Sequence, residues 1–149
     1  SSILIDDIDI DNLKLKNEPL NVTSNNDTRI LWSGPKNWLL VSKKKNLFQD
    51  ILKVFKETDF AVTDLSHSRS IIEIQGNMVY EVLKKGCPIN FNEFNKNSCA
   101  GSIFHGITIV IDCVESEPST FNIITLRSFG ESLYHHITDA CLEFGYVGV

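Results

Sequence analysis

The sequence predicts an α+β fold made of repeated ββα units. Three observations carry that. Three segments share one order: two apolar runs joined by turn residues, then an amphipathic helix. Apolar residues make up 42% and aromatics 9%, which suits a packed core and not disorder. The chain has 149 residues, a length that suits one domain over residues 1–149. The sheet is expected to be antiparallel or mixed, with the helices on one face.

The elements follow in order. Residues 6–18, DDIDIDNLKLKNE, place Asp7, Asp9, Asp11 and Glu18 at positions 1, 3, 5 and 12 of a calcium-loop spacing. The glycine that such a loop needs at position 6 is replaced by Asn12. Alternation of Ile8, Ile10, Leu13 and Leu15 with charged residues instead gives the period-2 pattern of a strand with one wet face, Asn12 slipping the register. Residues 1–28 therefore read as an extended acidic arm.

The first ββα unit is ILW, SGPKN, WLLVS, with Gly34-Pro35 in the turn. A helix over 46–57 follows, with Asn46 as N-cap and Leu47, Phe48, Ile51, Leu52 and Phe55 at helical spacing. The second unit pairs FAVTDL with SIIEIQ. Asn77 caps a helix whose apolar side is Met78, Val79, Val82 and Leu83, with a Glu81–Lys85 pair and Gly86 as a left-handed C-terminal residue. The third pairs SIFHGITIVIDCV with FNIITL around ESEPS. Its helix opens on a Ser128–Glu131 capping box, and Phe129, Leu133, Ile137, Ala140, Cys141 and Phe144 form its stripe before Gly145. Strands 38–42, 60–65 and 70–75 with helices 46–57 and 78–85 also permit ferredoxin-like packing.

The net charge of -5 argues against general nucleic-acid binding. Residues 1–28 carry six acids and two lysines (-4), residues 29–60 seven bases and three acids (+4), and the remainder five bases and ten acids (-5). No stretch of 18 apolar residues suggests a membrane span. No secretory leader is visible, so reduced thiols and a cytoplasmic location are expected. The sequons at Asn21 and Asn26 are then idle.

Chemistry-bearing candidates are few. Cys87, Cys99, Cys113 and Cys141 show no C-x-x-C spacing. Cys87 follows a helix C-terminus, where the dipole disfavours a thiolate, and reads as structural. Glu131, His135 and Asp139 share a helix face, but no further metal ligand accompanies them. His67 and His105 stand without a telling nucleophile or carboxylate. Arg127 and Ser128 set a guanidinium beside a capped helix start, a corner suited to an anion or to an acidic side chain. No phosphate loop, dinucleotide fingerprint or nucleophile elbow occurs, and no catalytic residue is assigned.

The order GPKNWLLV, TDLSHSRSIIEIQG, VLKKGCPINF, CAGSIFHGITIVI, FNIITLRSFGESLYHHITDACLEFG resembles the gamma-subunit family of heterotetrameric sarcosine oxidase. KGCP followed by Cys99-Ala100, and RSF opening the last helix, are its most specific pieces. The resemblance spans residues 29–145. Asp64-Leu65-Ser66 is also similar to a DLS segment of the folate-dependent aminomethyltransferases of glycine-cleavage T-protein type. The resemblance implies a fold like the T-protein folate-binding domain and a non-catalytic structural subunit. It places the chain in a flavoenzyme complex that demethylates sarcosine to glycine with one-carbon transfer to tetrahydrofolate. It implies an alpha-like large subunit, with beta and delta subunits, as partners. FAD, FMN, NAD, tetrahydrofolate and zinc would lie in those partners and none on this chain. A folate-dependent iron–sulfur maintenance family shares Lys85-Gly86-Cys87, but Pro88-Ile89-Asn90-Phe91 departs from its motif. The alternative function is a stand-alone folate- or anion-binding module using Arg127 and Ser128. A calcium sensor is the third.

Overall fold

A computed structural model describes residues 8–55 and 60–149. The chain divides into two compact units, Ser1–Leu65 and Ser66–Val149. Each has its own apolar cluster.

In the first unit, β1 (Asp9–Ile10) and β2 (Leu13–Lys14) form a tight antiparallel hairpin. Asp11 and Asn12 make its turn, with φ of 51° and 62°. Two successive left-handed residues are what a type I′ turn demands, and Asp and Asn tolerate them. The register slip expected at Asn12 is therefore a chain reversal. Ile8, Ile10, Leu13 and Leu15 are all buried, packed with Ile30, Leu47 and Ile51. The expected extended arm thus contributes the apolar side chains of its described part to the core, because its apolar face has somewhere to go. Strands β3 (Val22–Ser24), β4 (Thr28–Gly34) and β5 (Asn37–Ser42) form a three-stranded antiparallel sheet in that order. The β4–β5 turn holds Pro35 and Lys36, the latter at φ 55°. Trp38 Nε1 donates to Lys16 O at 2.9 Å and Trp32 Nε1 to Asn17 Oδ1 at 3.2 Å, tying the N-terminal segment to this hairpin.

Helix α1 (Leu47–Val54) buries Leu47 and Ile51, while Leu52 is exposed. Asn46 sits at its N-cap position but its side chain makes no cap bond. The predicted continuation past Phe55 lies outside the described residues. Residues 60–65 are not a strand, so the ferredoxin-like order that needed one there is not formed. Phe60 and Val62 spend their apolar side chains on the first unit's core instead of on a ladder.

The second unit has four antiparallel strands in the order β6 (Arg69–Gln75), β9 (Ser119–Leu126), β8 (Ile107–Ser116), β7 (Cys99–Phe104). Helices α2 (Val79–Lys84) and α3 (Gly130–Cys141) cover one face of that sheet. Val79, Val82 and Leu83 meet Leu133, Ile137, Ala140 and Cys141 over Ile109, Ile111, Phe121 and Ile123. The stretch SIFHGITIVIDCV is two strands, because His105 (φ 47°) and Gly106 (φ 80°) form a two-residue turn between β7 and β8. An α+β fold with antiparallel sheets and helices on one face is what the chain adopts.

Several local expectations are corrected. Met78, not Asn77, holds the N-cap position of α2, without a side-chain bond, and is 42% exposed. Glu81 pairs with Lys84 at 3.6 Å and not with Lys85. Gly86 has no left-handed φ. Residues Arg127–Phe129 form a 3-10 turn, α3 begins at Gly130, and Phe129 at its N-cap position makes no side-chain bond. The capping box is not formed, and Phe129 is exposed and outside the stripe. Gly145 behaves as expected: its φ is 77° and its N–H donates to Cys141 O at 2.9 Å.

Candidate functional site

Among the described residues, three places gather the side chains that bear on a site. The first surrounds Asp11. Its carboxylate accepts from Thr28 Oγ1 at 2.6 Å and Asn25 Nδ2 at 3.3 Å, and pairs with the Lys44 ammonium. Thr28 Oγ1 lies 2.8 Å from Ser42 Oγ, which accepts from Lys44 N at 3.1 Å. The Lys44 hydrogen bond, then that of Thr28, holds the Asp11 carboxyl down at about 2. The same bond raises Lys44. A carboxylate already ringed by internal donors is a poor cation ligand. Asp7 of the calcium spacing lies outside the described residues, and Asn12 has turned the chain back.

The second place is the KKGCP segment at the end of α2. Lys85 Nζ donates to Ala140 O at 2.9 Å, pairs with Glu143 Oε2 at 2.7 Å and lies 4.8 Å above the Phe144 ring. It closes the C-terminal turn of α3, where carbonyls lack partners. Cys87 is buried in the core and donates from Sγ to Ser102 Oγ at 3.3 Å. Cys99, Cys113 and Cys141 are buried too, and burial pushes the Cys141 thiol up. A Cβ at Gly86 would stand 2.9 Å from His105 Cδ2 and 3.0 Å from Phe104 Cε2. A side chain there would have to push these two rings aside, so close approach favours glycine. The β7–β8 turn carries His105 over that gap and stacks it on His136, with centroids 4.9 Å apart and planes at 23°. Sequence spacing hides this pair; the His-Gly dipeptide between two alternating runs is the signal that reveals the turn.

The third place is the outer side of α3. His135, His136, Thr138, Asp139, Leu142 and Tyr146 line an open groove of about 410 Å³. His135 Nε2 stands 3.8 Å from Glu131 Oε1, with both side chains largely in water. Among the described residues no three His, Cys, Asp or Glu side chains come close enough to hold a metal ion.

Arg127 and Ser128 are brought together only by sequence adjacency. Both are exposed in the 3-10 turn. The Arg127 backbone N–H donates to Ser68 O at 2.8 Å, fastening the turn to the start of β6. With α3 starting at Gly130, the helix dipole that was to reinforce an anion there begins elsewhere.

Residues 12–143 match the sarcosine oxidase, gamma subunit family. The chain belongs to that family. Two curated relatives, sarcosine oxidase subunit gamma of Corynebacterium sp. strain U-96 and of strain P-1, are 28% and 27% identical over 120 residues. Each alignment covers 78% of this chain and 58% of the relative, so the chain spans under two-thirds of their length. A solved chain of heterotetrameric sarcosine oxidase from Corynebacterium sp. U-96, in complex with pyrrole 2-carboxylate, has a TM-score of 0.83 and 26% identity. The match covers 92% of this chain and 71% of that one. The KGCP and RSF segments serve here as a helix exit packed under His105 and as a helix entry.

Proposed function

We propose that this chain is a non-catalytic structural subunit of a sarcosine oxidase-type flavoenzyme complex. That complex oxidatively demethylates sarcosine to glycine and passes the one-carbon unit to tetrahydrofolate. Its partners are an alpha-like large subunit with beta and delta subunits, in the cytoplasm, and FAD, FMN, NAD, tetrahydrofolate and zinc reside in those partners. The observation that carries the reading is the family match over residues 12–143. It is supported by what the reactive side chains are doing: Lys85 closes α3, and the four cysteines are buried.

Tagged chain recovered from its native cell tests this. Flavin absorbance and a large flavoprotein subunit should accompany it. Chain recovered without any flavoprotein overturns the reading. The folate- or anion-module alternative rests on Arg127 and Ser128, which have lost their capped helix start. Calorimetry of the isolated chain with tetrahydrofolate is expected to show no heat. Binding tighter than about 100 μM, roughly -5.5 kcal/mol, would favour the alternative.

A further inference from the structure

The C-terminal half of α3 and the segment after it carry the open groove of about 410 Å³. Helical spacing puts His135, Asp139 and Leu142 on one side of the helix. Gly145, at φ 77°, ends that helix and turns the chain. A Cβ at Gly148 would lie 3.4 Å from the Tyr134 hydroxyl, so the chain runs back beside α3. Tyr146, between these two glycines, lines the groove from the returning segment. Leu142 and Tyr146 are 67% and 50% exposed, which leaves an aliphatic and an aromatic surface side by side in water.

The polar atoms of the groove say what fits it. Thr138 Oγ1 donates to Tyr134 O at 2.9 Å and to His135 O at 3.2 Å. Its one proton is spent on the helix, so toward the groove this oxygen can only accept. Asp139 is exposed and makes no ion pair among the described residues. The carbonyl end of α3 lies here too, and it favours cations. Cations of this region are committed or distant. Lys85 is taken by Ala140 O and Glu143, and Lys84 stands 3.6 Å from Glu81. Arg127 precedes α3, about 18 Å along the axis from Asp139. His135 faces Glu131, a further acid one turn back. A carboxylate, a hydroxyl oxygen and an exposed ring together suit a guanidinium, which only donates, forks onto carboxylates and stacks on aromatic faces. Pockets for small molecules mostly enclose them, whereas a groove this open suits a side chain carried on a protein surface. A second copy docked groove to groove about a two-fold axis would set Asp139 against Asp139.

We propose that the groove of Thr138, Asp139, Leu142 and Tyr146 receives an arginine side chain, flanked by an apolar residue, from another subunit. This rests on the subunit reading above. Tagged wild-type chain, Asp139→Arg, Asp139→Asn, Leu142→Asp and Glu93→Arg are recovered from the native cell, and co-recovered flavoprotein is measured by flavin absorbance. Circular dichroism of each purified chain confirms folding, and both groove positions are exposed. Asp139→Arg and Leu142→Asp should each lower recovery by about tenfold or more, as central interface residues do. Asp139→Asn, which keeps an acceptor and loses the charge, should fall between them and wild type. Glu93→Arg, the same charge reversal on an exposed residue of the 3-10 turn after α2, should match wild type. Folded Asp139→Arg and Leu142→Asp that recover flavoprotein like wild type overturn the groove alone. So does an equal loss in Glu93→Arg, or a wild-type dimer in sedimentation that Asp139→Arg dissolves. Wild-type chain that recovers no flavoprotein overturns the subunit reading itself, and the groove with it.

Discussion

Asp11 shows how a residue that resembles a metal ligand becomes a structural brace. Its carboxyl is held at about 2, below the ordinary 3.8. A depressed carboxyl contributes stability above its unfolded value and loses it as pH falls through the folded one. Lys44, raised above 10.5, contributes below that value and loses its share as pH rises past it. The gap in melting temperature between wild type and Asp11→Asn should therefore be full near neutrality, shrink below about pH 4 and close near about pH 2. A gap that stays constant to pH 2 contradicts the brace. Gly86 makes the second residue-scale case. Gly86→Ala drives a methyl into His105 and Phe104, and should cost about 1–3 kcal/mol in urea unfolding. The cost should be smaller in a His105→Ala background, since one of the two obstructing rings is gone. Equal costs in both backgrounds would mean that His105 does not crowd the site.

At the element scale, the last helix and the N-terminal hairpin are the informative cases. The α3 stripe is readable because Leu133, Ile137, Ala140 and Cys141 recur at helical spacing and all four are buried. Its start is not readable: S-x-x-E satisfies a local rule, yet a 3-10 turn intervenes and Ser128 caps nothing. Ser128→Ala should thus change stability by less than about 0.5 kcal/mol, where a true N-cap would lose about 1. Leu133→Ala, at a fully buried position, should cost about 2–5 kcal/mol. Thermal or urea denaturation of both separates the two roles. The N-terminal hairpin inverts the case. Alternation marks its apolar face but not what that face packs against, so the segment reads as an extended arm. Leu13 is 8% exposed, and Leu13→Ala should cost about 2–5 kcal/mol. A cost below about 0.5 kcal/mol, the surface norm, would mean that the segment does not hold the core.

For the molecule as a whole, net charge governs behaviour in solution more than fold. The chain carries -5 at neutral pH and has an isoelectric point near 5.3. Its solubility should pass through a minimum close to that pH, measurable as light scattering across a pH series. Residues 1–28 carry a local acidic excess of -4. Yet Asp11 is spent on Lys44 within the same unit, so local charge counts overstate what is on offer outside.

The sequence by itself determined the α+β class, the β4–β5 and β8–β9 hairpins, the α3 stripe and the family. Those follow from periodicity, turn residues and motif order, which act over a few residues. Tertiary structure decided the rest. It made two compact units, turned 60–65 from a strand into core packing, folded the N-terminal segment inward, and moved the start of α3 past Ser128. It stacked His105 on His136 and gave Lys85 to Glu143. Each of these depends on which distant surface is available to bury an apolar side chain or pair a charge, and no local pattern encodes that.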